Sequence, residues 1–309
     1  MTTALITHED CLDHVTPPGH PEQVARLEVI LAALEGKALL RVEAPLAGDA
    51  DLLRVHPQAH IDHIRGAVPE TGIKPMDPDT WMSPGSLTAA LRAVGGCVQA
   101  VDMVMAGAAQ NAFVACRPPG HHAEAERTMG FCLFGNVAIA ARHALEMHRL
   151  SRVAILDFDV HHGNGTQDLL RDEARVLFCS SHQSPLWPGT GMEDEVGAHG
   201  NIMNVPLAPG TDGAGFRHAM ETRVLPAFEA FGPELILVSA GFDAHRADPL
   251  AGLALEAEDF AWITARLCDL AARQCQGRLV SCLEGGYDLD ALAQSVAAHV
   301  DVLIDRAAG

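Results

Sequence analysis

The sequence predicts an α/β fold in which a central, mainly parallel sheet lies between two layers of helices. Short runs rich in Val, Ile and Leu alternate with longer segments of helical periodicity along the 309 residues. The short runs are apolar at consecutive positions, as strands covered on both faces must be. No low-complexity linker or internal repeat breaks the alternation, so residues 1–309 are read as a single domain.

The elements follow in chain order. Strands are expected at 3–7 (TALIT), 112–116 (AFVAC), 152–158 (RVAILDF), 175–180 (RVLFCS), 201–206 (NIMNVP), 234–239 (ELILVS) and 278–283 (RLVSCL). Helices are expected at 22–35, 86–109, 136–149, 213–230, 256–274 and 288–307. The first follows Pro21, a residue suited to an initial helical position, and stops at Gly36.

The formal charge of −19 argues against a broad grip on nucleic acid or an anionic membrane, both of which need clustered Lys and Arg. It favours cationic substrates, or serves only solubility. Eight cysteines, at 11, 97, 116, 132, 179, 268, 275 and 282, are scattered with no CxxC pair, a pattern of free buried thiols in a reducing cytoplasm. The opening MTTALITHED has no basic segment, so no secretory signal is visible, and no uninterrupted apolar stretch reaches membrane-spanning length. A cytoplasmic location is expected.

In parallel sheets ligands bind beyond the carboxyl ends of the strands. Here those ends lead into RPPGHH, DVHHGNG, SHQSPLWPGTG, AGFDAHRADP and EGGY. Five strands thus deliver His, Asp, Trp or Tyr beside glycines to one edge, which points to one site.

The densest stretch is AILDFDVHHGNGT, residues 154–166. In an extended chain Asp157, Asp159 and His161 share a face, and carboxylates that close repel unless a cation lies between them. Asp159 and His161, with Asp243 from a distant strand end, form a set of two carboxylates and one imidazole. Such a set suits zinc with coordination positions left open, and Fe²⁺, Co²⁺ or Mn²⁺ as well. His121 and His122 offer imidazole near neutral pH, as a general base requires. Asp157 and Asn164 could each hold one of these rings, the one on Asp157 being the more basic. Tyr287, the only tyrosine, follows Gly285 and Gly286, which permit close backbone approach, and its phenol can donate to a developing oxyanion. Metal, base and oxyanion donor together specify hydrolysis of an amide or ester by activated water.

RPPGHHA, GFCLFGN, ILDFDVHHGNGTQ, PGTG, LVSAGFDAHRADPL and LEGGYD, with HPEQVARL at 20–27, resemble the motifs of the zinc-dependent histone deacetylase and acetylpolyamine amidohydrolase superfamily. The resemblance implies a three-layer αβα arginase/deacetylase-like fold and removal of acetyl groups from amines. It implies zinc ligands at Asp159, His161 and Asp243, and Tyr287 as the transition-state tyrosine. His122 is then the proton shuttle and His121, oriented by Asp157, its electrostatic support. It further implies a structural potassium ion at Asp157, Asp159, His161, Ser180 and Ser181. Asn164, where many nuclear-type members carry aspartate, resembles the class II branch and its bacterial relatives. Gly130, Phe131 and Trp187 match the tunnel that grips the aliphatic part of acyl-lysine, with Trp187 where phenylalanine is commoner. Leu250 stands where polyamine-selective relatives can carry glutamate, and it favours a neutral tail over a second ammonium group.

The expected partner is therefore an acetylated lysine peptide or a small acylated amine, with no nucleic acid or membrane; an oligomer is compatible with the sequence. Two rivals remain. DAHRADP at 243–249 has the spacing of a binuclear ureohydrolase motif, and a non-catalytic binder of acylated ligands could keep the same pocket. Outside the site, His56, His60, His63, His143, His148, His218 and His299 read as surface or packing residues, and His182 as flanking the site.

Overall fold

The computed structural model describes residues 2–308. β1 (Thr3–Thr7) is followed by a short 3-10 turn, α1 (Ala25–Ala33), β2 (Leu39–Glu43), α2 (Asp49–Leu52) and α3 (Gln58–Ala67). A small antiparallel ribbon, β3 (Lys74–Pro75) and β4 (Trp81–Met82), precedes α4 (Ser86–Met105) and β5 (Asn111–Val114). Then come α5 (Asn136–Met147), β6 (Val153–Asp157), α6 (Asn164–Leu170), β7 (Val176–Gln183) and β8 (Ile202–Leu207). α7 (Gly213–Ala219) passes through a π-helical turn at Met220–Val224 into α8 (Leu225–Phe231). β9 (Leu235–Ala240), α9 (Ala257–Gln274), β10 (Leu279–Leu283) and α10 (Leu289–Ala308) complete the described chain.

Eight strands form one sheet in the order β2-β1-β5-β10-β9-β6-β7-β8, and all of its pairings are parallel. Parallel order requires each strand to be re-entered through a crossover, and the helices of those crossovers cover both faces. α1, α10, α9 and α8 pack side by side in one layer, while α4, α5 and α6 form the other. β5, β6, β7, β9 and β10 are buried at every position, which explains their continuous apolar reading. Phe113, Phe158, Phe178 and Phe260 fill the space between sheet and helices. A smaller apolar cluster, with Leu52, Ile61, Ile64, Met82 and Phe134, anchors α2, α3 and the ribbon.

The predicted α/β architecture with its sheet between helical layers is observed. Several boundaries differ. The first helix starts at Ala25 rather than beside Pro21. The Glu22 N–H is taken by His20 Nδ1 and the Glu22 carboxylate is drawn inward by buried arginines, so residues 20–24 turn before the helix begins. β2 escaped notice because it is an edge strand with half-exposed side chains, and α6 because it begins inside the glycine-rich HHGNG run. α4, a 20-residue helix, is long and apolar enough by length and composition to cross a membrane. In the fold Arg92 pairs with Asp10, and Ala93, Cys97, Ala100 and Val101 pack into the main core. All eight cysteines are buried free thiols.

Candidate active site

The carboxyl ends of β6, β9 and β10 converge on one buried acidic centre. The chain leaves β6 at Asp157 and continues through Asp159 and His161, while β9 leads through Gly241 to Asp243. His161 Nδ1 lies 3.2 Å from Asp159 Oδ1 and 3.0 Å from Asp243 Oδ2. One donor atom from each of the three lies within 4.8 Å of the others. The remaining carboxylate oxygens are fixed by backbone: Gly285 N–H donates to Asp159 Oδ2 at 2.8 Å and Val160 N–H to Asp243 Oδ1 at 2.8 Å. The carboxylates can approach only because glycines flank them. A Cβ at Gly285 would stand 2.3 Å from Asp243 Oδ2, and one at Gly241 2.0 Å from Asp159 Oδ2.

Such packing is costly for charge. Burial opposes a charged His161, but Asp159 and Asp243 together raise its pKa to about 10. Burial, reinforced by the charge of Asp159, raises Asp243 to about 7. Two buried carboxylates facing one imidazole therefore favour a positive charge between them. The O, O, N donor set, the glycine cradle and the backbone-fixed outer oxygens all fit a catalytic divalent ion with open positions.

His121 and His122 follow β5, their rings tilted by 41° with centroids 3.8 Å apart. His121 Nδ1 is 3.0 Å from Asp157 Oδ2, and its Nε2 faces Asp159 Oδ2 at 3.7 Å. Burial works against the charged ring, yet Asp159 and Asp157 outweigh it and hold His121 well above the usual histidine range. His122 has the opposite environment. Burial, then the charges of His121 and His161, push it well below that range. Its Nδ1 lies 2.7 Å from Asn164 Oδ1, while Asn164 Nδ2 donates to Glu124 Oε1 at 2.8 Å. Glu124 thereby fixes the amide so that oxygen faces the ring, which puts the His122 proton on Nδ1 and leaves a lone pair on Nε2. The two rings differ in basicity in the direction expected from Asp157 and Asn164.

Tyr287 closes the site. Its ring packs on Phe131 at 5.8 Å, and the Arg26 guanidinium lies 4.9 Å from the ring centroid. Burial raises the phenol well above its ordinary value; Arg26 opposes this and Asp243 and Asp159 add to it, so the hydroxyl keeps its proton. Two positioning groups were not among the residues expected at the site, although Glu284 opens the EGGY run at the end of β10. Arg26 donates to the carbonyls of Gly286 and Glu284, each at 2.6 Å, and so fixes the loop before the tyrosine. The only hint of it was its place in HPEQVARL. Glu284, inside LEGGYD, accepts from the N–H groups of Gly120 and His121 at 2.7 and 3.1 Å.

A cavity of about 190 Å³ opens onto these groups, lined by His122, His161, Tyr287, Gly130, Phe131, Trp187, Leu250, Leu186 and Asp79. All four residues expected to contact substrate are among them. Phe131 adopts φ 69° beside Gly130 at φ 55°, a left-handed pair that turns the backbone along the wall. Trp187 is 41% exposed at the mouth with its ring 4.7 Å from His122, so it is a wall of the cavity rather than a core aromatic. Asp79, from the β3–β4 loop, places a carboxylate at the rim; its MDPDT context gives only a turn signal.

Asp157 pairs in register with Ser180 and Ser239, and Ser181 Oγ donates to the Asp157 carbonyl at 3.4 Å, so three of the five residues expected at a monovalent cation, Asp157, Ser180 and Ser181, adjoin one another behind the site. His182 lies behind it too, bonded to Ser180 Oγ and the Gly191 carbonyl. His56, His60 and His299 are buried packing residues, and His63 and His218 are exposed. The ureohydrolase alternative finds no support in the geometry. Asp248 Oδ2 accepts from the N–H of Tyr287 at 2.7 Å and Oδ1 from Leu250 at 3.0 Å, while His245 turns toward Glu256. Neither joins the Asp159–His161–Asp243 group among the described residues.

Comparison with known proteins adds to this picture. The histone deacetylase domain family matches residues 20–303. A histone deacetylase-like amidohydrolase of Pseudomonas aeruginosa is 43% identical over 285 residues, spanning 88% of this chain and 74% of its own. A probable deacetylase of Archaeoglobus fulgidus is 38% identical over 299 residues, spanning 94% and 82%. The crystal structure of the HDA15 HD domain superposes with a TM-score of 0.93 at 34% identity, covering 99% of this chain and 89% of that one.

Proposed function

This chain belongs to the histone deacetylase family, and on that premise we propose that it is a metal-dependent deacetylase hydrolysing acetyl-lysine or a related acylated amine. The observation that carries the reading is the convergence of a proton-accepting nitrogen (His122), a permanently protonated phenol (Tyr287) and a three-donor cation centre on one narrow cavity.

Asp159, His161 and Asp243 would hold the ion, zinc in our reading, with Fe²⁺ or Co²⁺ as substitutes of similar donor preference. When bound it would supply Lewis acidity toward the acyl carbonyl and lower the pKa of water. The remaining work belongs to the chain. His122 Nε2 takes the proton of the attacking water, since Asn164 has committed Nδ1 to an N–H. His121, doubly engaged by Asp157 and Asp159, keeps its own proton and serves as fixed positive charge. Tyr287 donates to the oxygen on which negative charge develops. His122, now protonated, delivers its proton to the departing amine. Phe131 and Trp187 exclude water along an aliphatic arm, and Leu250 favours an uncharged continuation. We assign potassium to the Asp157–Ser180–Ser181 region with Asp159 and His161, and place the protein in the reducing cytoplasm, where its eight buried thiols persist.

The test is a comparison of kcat/KM across acylated lysine peptides, acetylated polyamines and small amides, before and after chelation. Acetyl-lysine peptides should lead, and activity should vanish with the metal. A strong preference for acetylpolyamines, suited to the −19 charge, would favour a polyamine amidohydrolase instead.

A further inference from the structure

Away from the catalytic pocket, a second group of donors meets at the other edge of the sheet. Asp102 lies in the last turn of α4, His143 in α5, and His148 is the C-terminal cap of α5. His143 Nε2 and His148 Nε2 each lie 2.7 Å from the same oxygen, Asp102 Oδ1. The three donor atoms lie within 4.8 Å of one another. α4 and α5 run back to the amino ends of β5 and β6, whereas the catalytic residues follow the carboxyl ends. The two clusters are thus separated by a strand length of roughly 16 Å, taking five residues at about 3.3 Å each.

We infer that Asp102, His143 and His148 form a second divalent-metal site, for a borderline ion of the Zn²⁺, Co²⁺ or Ni²⁺ class, that ties α4 to α5. Three features carry it. The donors are two imidazoles and one carboxylate, a facial set that borderline ions prefer and that leaves positions for water. Both rings present Nε2 to one point, and among the described residues His143 Nδ1 has no hydrogen-bond partner, so the only hydrogen bond of that buried ring is the one made within the cluster. The negative ends of two helix dipoles, the C-termini of α4 and α5, meet there and favour a cation. The chain leaves α5 through a left-handed Arg149 at φ 54°, and the Leu150 N–H reaches back to the Ala144 carbonyl at 3.4 Å, so the His148 turn is closed rather than frayed. With the Asp102 side chain 51% exposed and His148 25%, an ion can enter from solvent and the carboxylate can swing outward to make room.

The site bears on how metal counts are read. Two ions per chain would not signify a binuclear catalytic centre.

The experiment is metal stoichiometry by elemental analysis on full-length protein dialysed against Zn²⁺, with the Zn²⁺-induced rise in Tm as a second readout. Wild type should hold two ions. Asp102→Asn/His148→Ala should hold one, lose the Tm rise contributed by the second ion, and keep its acyl-lysine turnover unchanged; Asp243→Asn should keep one and lose turnover. A single ion in wild type, or a second ion retained by Asp102→Asn/His148→Ala, overturns the proposal. His148→Gln, at a half-exposed position, repeats the count in a chain whose core is untouched. None of these counts depends on the acyl substrate, so the inference stands or falls separately from the deacetylase reading.

Discussion

Replacing Tyr287 with phenylalanine removes one oxygen and little else. The ring is held by Phe131 at 5.8 Å and by the Arg26 guanidinium 4.9 Å from its centroid, and its backbone N–H is anchored on Asp248 at 2.7 Å. None of these contacts needs the hydroxyl, so Tyr287→Phe should fold, bind metal and keep its Tm within about 2 °C, consistent with a change of under ~0.5 kcal/mol. The catalytic loss should be much larger. Burial keeps the phenol protonated at all working pH values, so the wild-type group is always a donor. Deleting one donor to a developing oxyanion costs about 10²–10³ in kcat, or ~2.7–4 kcal/mol. The effect should fall on kcat rather than KM, since the charge it stabilises appears only in the transition state. Steady-state kinetics on an acetyl-lysine peptide, with metal content measured on the same sample, decides the matter. A variant keeping more than about half of wild-type kcat with metal bound would refute the oxyanion role.

Other consequences follow from particular contacts. Gly285→Ala would place a methyl group 2.3 Å from Asp243 Oδ2 and 2.5 Å from Asp159 Oδ2, and should weaken catalytic metal affinity by at least about tenfold, measured by competition with a chromogenic chelator. Burial pushes Glu22 up, but the charge of Arg117 and the His14 contact overcome it and hold its carboxyl well below the usual range. That contribution is present above the unfolded value of about 4.3 and is lost as pH falls through the lower folded value, so the Tm difference between wild type and Glu22→Gln should stay constant above about pH 5 and shrink as pH falls below about 4. Glu22→Gln would leave buried Arg117 without its counter-charge and should cost about 3–5 kcal/mol in denaturant unfolding at pH 7. Leu250→Glu should raise the ratio of kcat/KM for an acetylpolyamine over acetyl-lysine about two- to fivefold, equivalent to ~0.5–1 kcal/mol for a half-exposed ion pair; an unchanged ratio would remove Leu250 from substrate selection.

Where burial is complete the sequence reads clearly. β6, β7, β9 and β10 are apolar on both faces because both faces are covered, so their runs and the polar motifs at their ends stood out. β2 and α3 did not, since LLRVE lies half exposed at the sheet edge and QAHIDHIRGA buries two isoleucines with only His60 and Ala67 beside them. At the site, residues beside glycine at strand ends were legible because close backbone approach leaves a compositional mark. Arg26 and Asp79 were not, because their work depends on distant partners, as with Arg26 and Gly286, 260 positions apart; Glu284 sits beside glycine at a strand end, but its role shows only in its bonds to the Gly120 and His121 N–H groups. The start of the first helix misled for a related reason: Pro21 fits a helical start locally, but the pull of Arg117 on Glu22 overrides it. Asp248 sits in a motif that reads equally well as metal-ligating, and only its engagement by the Tyr287 and Leu250 N–H groups shows otherwise.

The proposed deacetylation requires Asp159, His161 and Asp243 to hold one divalent ion on which hydrolysis of an acylated amine depends. Zn²⁺ titration of chelator-treated Asp102→Asn/His148→Ala protein, in which the surface site is disabled, while following acetate release from an acetyl-lysine peptide, addresses it without interference. Acetate release should climb linearly and level off at one equivalent, and Asp243→Asn in the same background should release none. Turnover that survives chelation undiminished, or that persists in Asp243→Asn, would contradict the account.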